Sequence, residues 1–147
     1  MMIREASTAD ISALMDLYTE LHPGDVTPSP KDVNRIWHEI LSDERYRILV
    51  AEKDGQIVSS VTLIVVPNLT RGLRSYALIE NVITRSNCRR QGFAGELMRR
   101  ALEIAQEFGC YKVMLLTGKK DPATLRFYET CGFNSNDKTA FIYWIDE

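Results

Sequence analysis

The apolar residues of this chain switch between two spacings, and the switch in its later part constrains the fold more than any other feature. Ala94, Leu97, Met98, Ala101, Leu102, Ala105 and Phe108 recur every three or four residues, the spacing of one helix face, and Gly109 ends the run. Lys112 to Thr117 follows as KVMLLT, a compact apolar strand, and Arg74 to Thr84 before the helix also reads as a strand. A strand, a helix and a strand at these distances form a βαβ crossover, so parallel strands with a helix packed over them are expected here.

The earlier part is of another kind. Met2 to Arg4 reads as a short strand. Ser7 or Thr8 caps a helix with Ile11, Leu14, Met15, Tyr18 and Leu21 on one face, ended by His22-Pro23-Gly24. Ser29-Pro30 opens a second helix, striped by Val33, Ile36, Trp37, Ile40 and Leu41. Arg47 to Lys53 and Gln56 to Val66 are strands joined by Asp54-Gly55, a two-residue hairpin signal. Asp121-Pro122 opens a further helix that closes at Cys131-Gly132, and Lys138 to Ile145, aromatic and β-branched, reads as the last strand. The order predicts an α/β fold. A mixed twisted sheet of about six strands is flanked by four helices, in a single domain over residues 1–147.

Composition excludes several classes. Lys plus Arg is 18 and Asp plus Glu is 20, a net charge of -2, so no global phosphate-backbone footprint is present and no nucleic-acid partner is expected. No apolar run approaches the roughly 20 residues of a membrane span. Arg4, Glu5 and Asp10 interrupt the stretch a signal peptide needs, so no membrane partner and a cytoplasmic location are expected. Cys88, Cys110 and Cys131 are an odd, widely spaced set without a CxxC pair. That speaks against a disulfide framework and against a zinc site, so no metal is expected. His22 reads as a helix end and His38 as a surface position.

Arg89-Arg90-Gln91-Gly92-Phe93-Ala94-Gly95 lies between a strand and the strongest helix. Small residues let a ligand approach the backbone, and the helix start offers unpaired amides and a positive dipole end. With two arginines beside it, the segment suits a pyrophosphate; the alternative is a tight turn with solvated arginines. It lacks the Gly-Lys-Ser/Thr of a phosphate-binding loop and the GxGxxG of a dinucleotide fold.

Arg89-x-x-Gly92-x-Ala94 and Phe127-Tyr128-Glu129-Thr130-Cys131-Gly132-Phe133, in this order and with a helix and a strand between them, resemble the two signatures of the GNAT (GCN5-related) N-acetyltransferases. The resemblance covers nearly the whole chain. It implies the GNAT fold and acetyl-CoA as acyl donor, with direct acetyl transfer to a primary amine in a ternary complex. It further implies that Arg89, Arg90, Gln91, Gly92, Phe93, Ala94 and Gly95 hold the pyrophosphate, and that pantetheine pairs with the backbone of Val82, Ile83 and Thr84. Two positions depart from the family pattern: Asp121 stands where Asn is common, and Thr124 where Ala is usual. Asp121 reads as a helix N-cap before Pro122.

Acyl transfer needs a neutral attacking amine and a proton for the leaving thiolate. Tyr128 is the expected acid, since a phenol is protonated at neutral pH. Helix periodicity alone would make it a packing residue; the motif makes it functional. Glu80, a carboxylate in the otherwise apolar run Leu78 to Ile83, is the expected base; pairing with an arginine or facing solvent is the open alternative. Asn81 is a candidate for orienting substrate. Leu21 to Ser29 and Pro67 to Arg74 would shape the acceptor side, where Arg71 and Arg74 could meet an anion or simply be solvated. Ile79-Glu80-Asn81-Val82 and Gly109-Cys110-Tyr111-Lys112 are similar to segments of glucosamine-6-phosphate N-acetyltransferases, which makes amino-sugar acetylation an alternative. The expected partner is a small-molecule or peptide amine, and a homodimer is left open. A non-catalytic acyl-CoA-binding sensor module is the alternative of another class.

Overall fold

A computed structural model describes residues 1–146. The chain falls into two compact units, Met1–Leu115 and Leu116–Glu147, each described by itself. The first contains β1 (Met2–Glu5), α1 (Ile11–Leu21), α2 (Pro30–Ser42), β2 (Tyr46–Lys53), β3 (Gln56–Val66), β4 (Tyr76–Thr84), α3 (Phe93–Glu107) and β5 (Val113–Leu115). The strands lie in sequence order in one sheet. β1 to β4 pair antiparallel, and β5 joins β4 in parallel through the α3 crossover.

Local chemistry accounts for most of these boundaries. Ser29 accepts a hydrogen bond from the Asp32 amide, and Pro30 fills the first turn of α2, where a missing N–H costs nothing. Asp54 and Gly55 both have positive φ, as a tight two-residue hairpin between β2 and β3 requires. Gly109, at φ +76°, ends α3 in the left-handed conformation.

Register divides the sheet into two faces. Ile48 and Val50 pack with Leu14, Leu17 and Trp37 in a cluster covered by α1 and α2. Their partners on β3, Thr62 and Ser60, share that face. The intervening Val61, Leu63 and Val65 point the other way, and α3 packs on β3, β4 and β2 with Leu97, Met98, Ala101, Ile104 and Ala105 buried.

In the second unit, α4 (Pro122–Thr130) begins at Asp121, whose carboxylate accepts from the Thr124 amide at 3.0 Å. Among the described residues the strand expected over Lys138 to Ile145 is not formed and the sheet has five strands, while the four helices are those expected. Phe141 is 91% exposed and Trp144 71%. Aromatic and β-branched residues favour a strand when a neighbouring strand and a buried face receive them, and residues 138–145 have neither among the described residues. The strand expected over Lys112 to Thr117 is also shorter, Val113–Leu115.

Candidate active site

β4 extends past its parallel neighbour. Its ladder with β5 runs from Ala77↔Val113 to Ile79↔Leu115 and ends there, whereas β4 continues to Thr84. Along Glu80 to Thr84 the strand is paired on its β3 side, Ser60↔Ile83 and Ser59↔Thr84, and has no strand partner on the other among the described residues. Exposed strand edges of this kind are templates for an extended ligand carrying amides.

The edge is also bent. Between Thr62↔Glu80 and Ser60↔Ile83, two residues of β4 face one of β3, so Asn81 and Val82 form a bulge, with Asn81 at φ +51°. The bulge breaks the regular alternation just after Glu80; Glu80 is exposed and Asn81 half-buried. Nothing in the sequence marks it, because Asn81 stands in a run of good strand formers.

β4 leads directly into the arginine-glycine turn. A short 3-10 turn, Ser86–Cys88, precedes Arg89, whose Nε donates to Thr84 O at 3.4 Å. Arg90 has φ +64°, and Gly92 caps α3 at φ +88° in a left-handed conformation that suits glycine. Phe93 is buried and anchors the helix start; Ala94 and Gly95 are half-buried, and a Cβ on Gly95 would meet no protein atom within 4 Å. Arg89, Arg90 and Gln91 are exposed. The sequence did not point to Lys53 at the end of β2: its Nζ donates to Gln91 Oε1 at 2.8 Å and adds a third cation to the turn.

On the α1 side of the sheet, beside Glu80, sits a group of hydroxyls. Thr62, directly opposite Glu80 in register, is fully buried. The Tyr18 hydroxyl of α1 is likewise inaccessible and lies within hydrogen-bonding reach of the Thr62 and Ser60 hydroxyls, while Ser60 Oγ donates to Leu49 O at 2.9 Å. Burial raises the Tyr18 phenol above its ordinary value. Burial, and then the Glu80 charge, do the same for Tyr46. Three hydroxyls are thus clustered on an otherwise apolar face, directly beside an exposed carboxylate.

Tyr128 lies on α4, half-buried, its ring edge-on to Phe127 at 5.1 Å. Burial holds its phenol up, and so protonated at neutral pH, followed by the nearby Cys131. Asp121 is a cap: Thr124 Oγ1 and its amide both donate to the carboxylate and hold it below the usual range. Burial keeps the Cys110 and Cys131 thiols protonated, the opposite of what an acyl-accepting cysteine needs. Arg74 donates to Gly109 O and Cys110 O, both at 3.1 Å, and Arg71 stacks over Tyr111 at 5.5 Å. Both arginines therefore serve the end of α3 and its neighbours rather than standing free as anion ligands. A cleft of about 350 Å³ lined by Glu5, Ala6, Ile40, Tyr46 and Arg47 lies at the start of β2, the end of the sheet away from the glycine turn.

An antiparallel sheet with one parallel crossover, a bulged fourth strand with a free edge, and a glycine-capped helix at its end define a fold of the acyltransferase type. The chain belongs to the acetyltransferase (GNAT) family, whose profile matches residues 11–133. A protein of Agrobacterium tumefaciens str. C58 described as a candidate acetyltransferase is 40% identical. It superimposes with a TM-score of 0.91 over 98% of this chain and 100% of that one. A Bacillus halodurans C-125 structure described as a transcriptional regulator is 31% identical, with a TM-score of 0.82 over 97% and 99% of the two chains. The glucosamine 6-phosphate N-acetyltransferase of Trypanosoma brucei brucei is 34% identical over 92 residues, 63% of this chain and 60% of that protein. The chain thus spans about three fifths of that curated relative's length. No helix among the described residues is long and apolar enough to cross a membrane.

Proposed function

We propose that this protein transfers an acetyl group from acetyl-CoA directly to a primary amine. The observation that carries the reading is the free edge of β4 from Glu80 to Thr84 running into the Gly92 turn. The edge of Val82, Ile83 and Thr84 offers backbone groups to the amides of pantetheine, and the start of α3 offers amides, Lys53, Arg89 and Arg90 to the pyrophosphate. Acetyl-CoA supplies a thioester carbonyl open to attack. Glu80 takes the proton of the attacking amine, and Asn81, fixed by the bulge, orients that amine. A carbon–nitrogen bond forms as the carbon–sulfur bond breaks, and the Tyr128 hydroxyl gives its proton to the departing thiolate. The role of Tyr128 rests on the motif around it.

Glucosamine 6-phosphate is the acceptor to try first, supported by the relative from Trypanosoma brucei brucei and by the matching segments around Glu80 and Cys110. The test measures acetyl-CoA affinity by calorimetry and free-thiol release over glucosamine 6-phosphate, polyamines, aminoglycosides and peptide amines. Gly92→Val, checked for folding, is expected to weaken acetyl-CoA sharply, because a side chain at this left-handed position displaces the turn. Tyr128→Phe is expected to keep affinity and lose about 10²-fold or more in kcat. Tight acetyl-CoA binding with no thiol release for any amine would support the sensor module instead.

A further inference from the structure

The hydroxyls of Thr62 and Tyr18 are inaccessible and occur side by side, with the Tyr18 hydroxyl within hydrogen-bonding reach of Thr62 and Ser60. Thr62 also stands directly across the β3–β4 ladder from Glu80, on the same face of the sheet. Directly opposed side chains in an antiparallel pair have Cβ atoms about 4.5–5.5 Å apart, so a rotation of Glu80 brings its carboxylate to Thr62 Oγ1. The donor balance fits as well. A carboxylate only accepts hydrogen bonds, and each hydroxyl has a proton to give and a lone pair to receive one.

We propose that Tyr18 and Thr62 are positioning residues for Glu80. When the acceptor displaces water from the exposed carboxylate, Glu80 turns inward and a chain closes, Tyr18 Oη–H donating to Thr62 Oγ1 and Thr62 Oγ1–H donating to Glu80. The chain fixes one carboxylate oxygen and leaves the other aimed at the amine. The groups facing Glu80 from the packed elements are then Thr62 of β3, Tyr18 of α1 and Tyr46 of β2, whose phenol feels the Glu80 charge. The bulge at Asn81 and Val82 sets the direction from which Glu80 swings. This inference rests on the reading of Glu80 as the base.

The experiment follows thiol release from acetyl-CoA with glucosamine 6-phosphate, or with the amine of highest turnover in the panel. Thr62→Val keeps the shape and removes the hydroxyl. It is expected to lower kcat about tenfold, part of the roughly 10²–10⁴-fold that a positioned base supplies, with the KM for acetyl-CoA unchanged. The melting temperature should change little, since a buried hydroxyl is exchanged for a methyl group of the same shape. Thr62→Ser restores the rate, and Tyr18→Phe lowers it severalfold. In a Glu80→Gln background Thr62→Val has no further effect, because the group it positions is absent. A wild-type kcat in Thr62→Val, or an equal loss with and without Glu80, overturns the positioning role while leaving the base assignment standing. A Glu80→Gln variant with wild-type kcat overturns the base assignment and the positioning role together, as does a wild-type protein that turns over none of the amines.

Discussion

The two faces of β3 contrast sharply although they alternate residue by residue. Toward α3 the strand presents Val61, Leu63 and Val65, all but inaccessible and packed against the Leu97, Met98 and Ala101 stripe. Toward α1 it presents Ser60 and Thr62, equally inaccessible yet polar, with Tyr18 above them and Glu80 alongside. Burial is the same on both faces and the chemistry is not. The α3 face gains free energy from apolar burial, while the α1 face buries hydroxyls next to the free edge of β4.

Neighbouring residues on β3 give the largest test of this contrast. Leu63→Ala removes a fully buried side chain from the α3 face, and the expected loss is about 2–5 kcal/mol in chemical denaturation. Thr62→Val, one residue away and equally buried, should change stability little. Similar losses for both variants would mean that the hydroxyl face is held together as firmly as the apolar one, and the contrast would fail.

The α1 face also contains polar groups that are fully satisfied, at the far edge of the sheet. Arg4 of β1 donates two hydrogen bonds to Asp10, at 2.7 and 3.0 Å, and one to Glu52 at 2.8 Å. The Ser7 amide adds a fourth, to Asp10 at 2.7 Å. With Arg4 the chief cause, the Asp10 carboxyl falls from 3.8 to about 2. A depressed carboxyl stabilises the fold above its unfolded value and loses that contribution as pH falls through the folded one. About 2 kcal/mol is therefore expected to vanish between roughly pH 4 and pH 2. Asp10→Asn should flatten that part of the stability–pH curve. An unchanged slope would show that the Arg4 pairing contributes nothing and that only the buried hydroxyls distinguish this face.

Much of this architecture is legible in the residues because each local signal points the same way. Ser29-Pro30, Asp54-Gly55, Gly109 and Asp121-Pro122 mark real boundaries, and Leu97, Met98, Ala101 and Ala105 of the expected stripe are buried on α3, where Ile104 joins them and Leu102 is only partly covered. What stays hidden depends on contacts between distant residues. The bulge at Asn81 and Val82 arises from pairing with β3. The approach of Lys53 to Gln91 needs the β2 end and the α3 start to meet, 38 residues apart in sequence. Tyr18 reads as one more apolar position of its helix, and only tertiary packing brings its hydroxyl to Thr62 and Ser60. Residues 138–145 fail in the other direction, since strand propensity was present without a partner to realise it.

The smallest expected effect lies at the start of α3 and carries the contrast between stability and use to a single methyl group. Gly92 is explained by its backbone: at φ +88° any side chain is strained, whatever ligand is bound. Gly95 has no such reason. It sits within the first turn of a regular helix, and an added Cβ would touch nothing within 4 Å. Alanine there should stabilise the helix by about 0.5–1 kcal/mol, by removing the freedom glycine has in the unfolded chain. A chain selected only for stability would gain from that change, and the proposed pyrophosphate site gives the missing Cβ a reason. Gly95→Ala is accordingly expected to raise the melting temperature by about 1–4 °C while weakening acetyl-CoA in calorimetry. If affinity survives unchanged in the more stable variant, the phosphate-binding turn ends at Ala94, and Gly95 belongs to the scaffold.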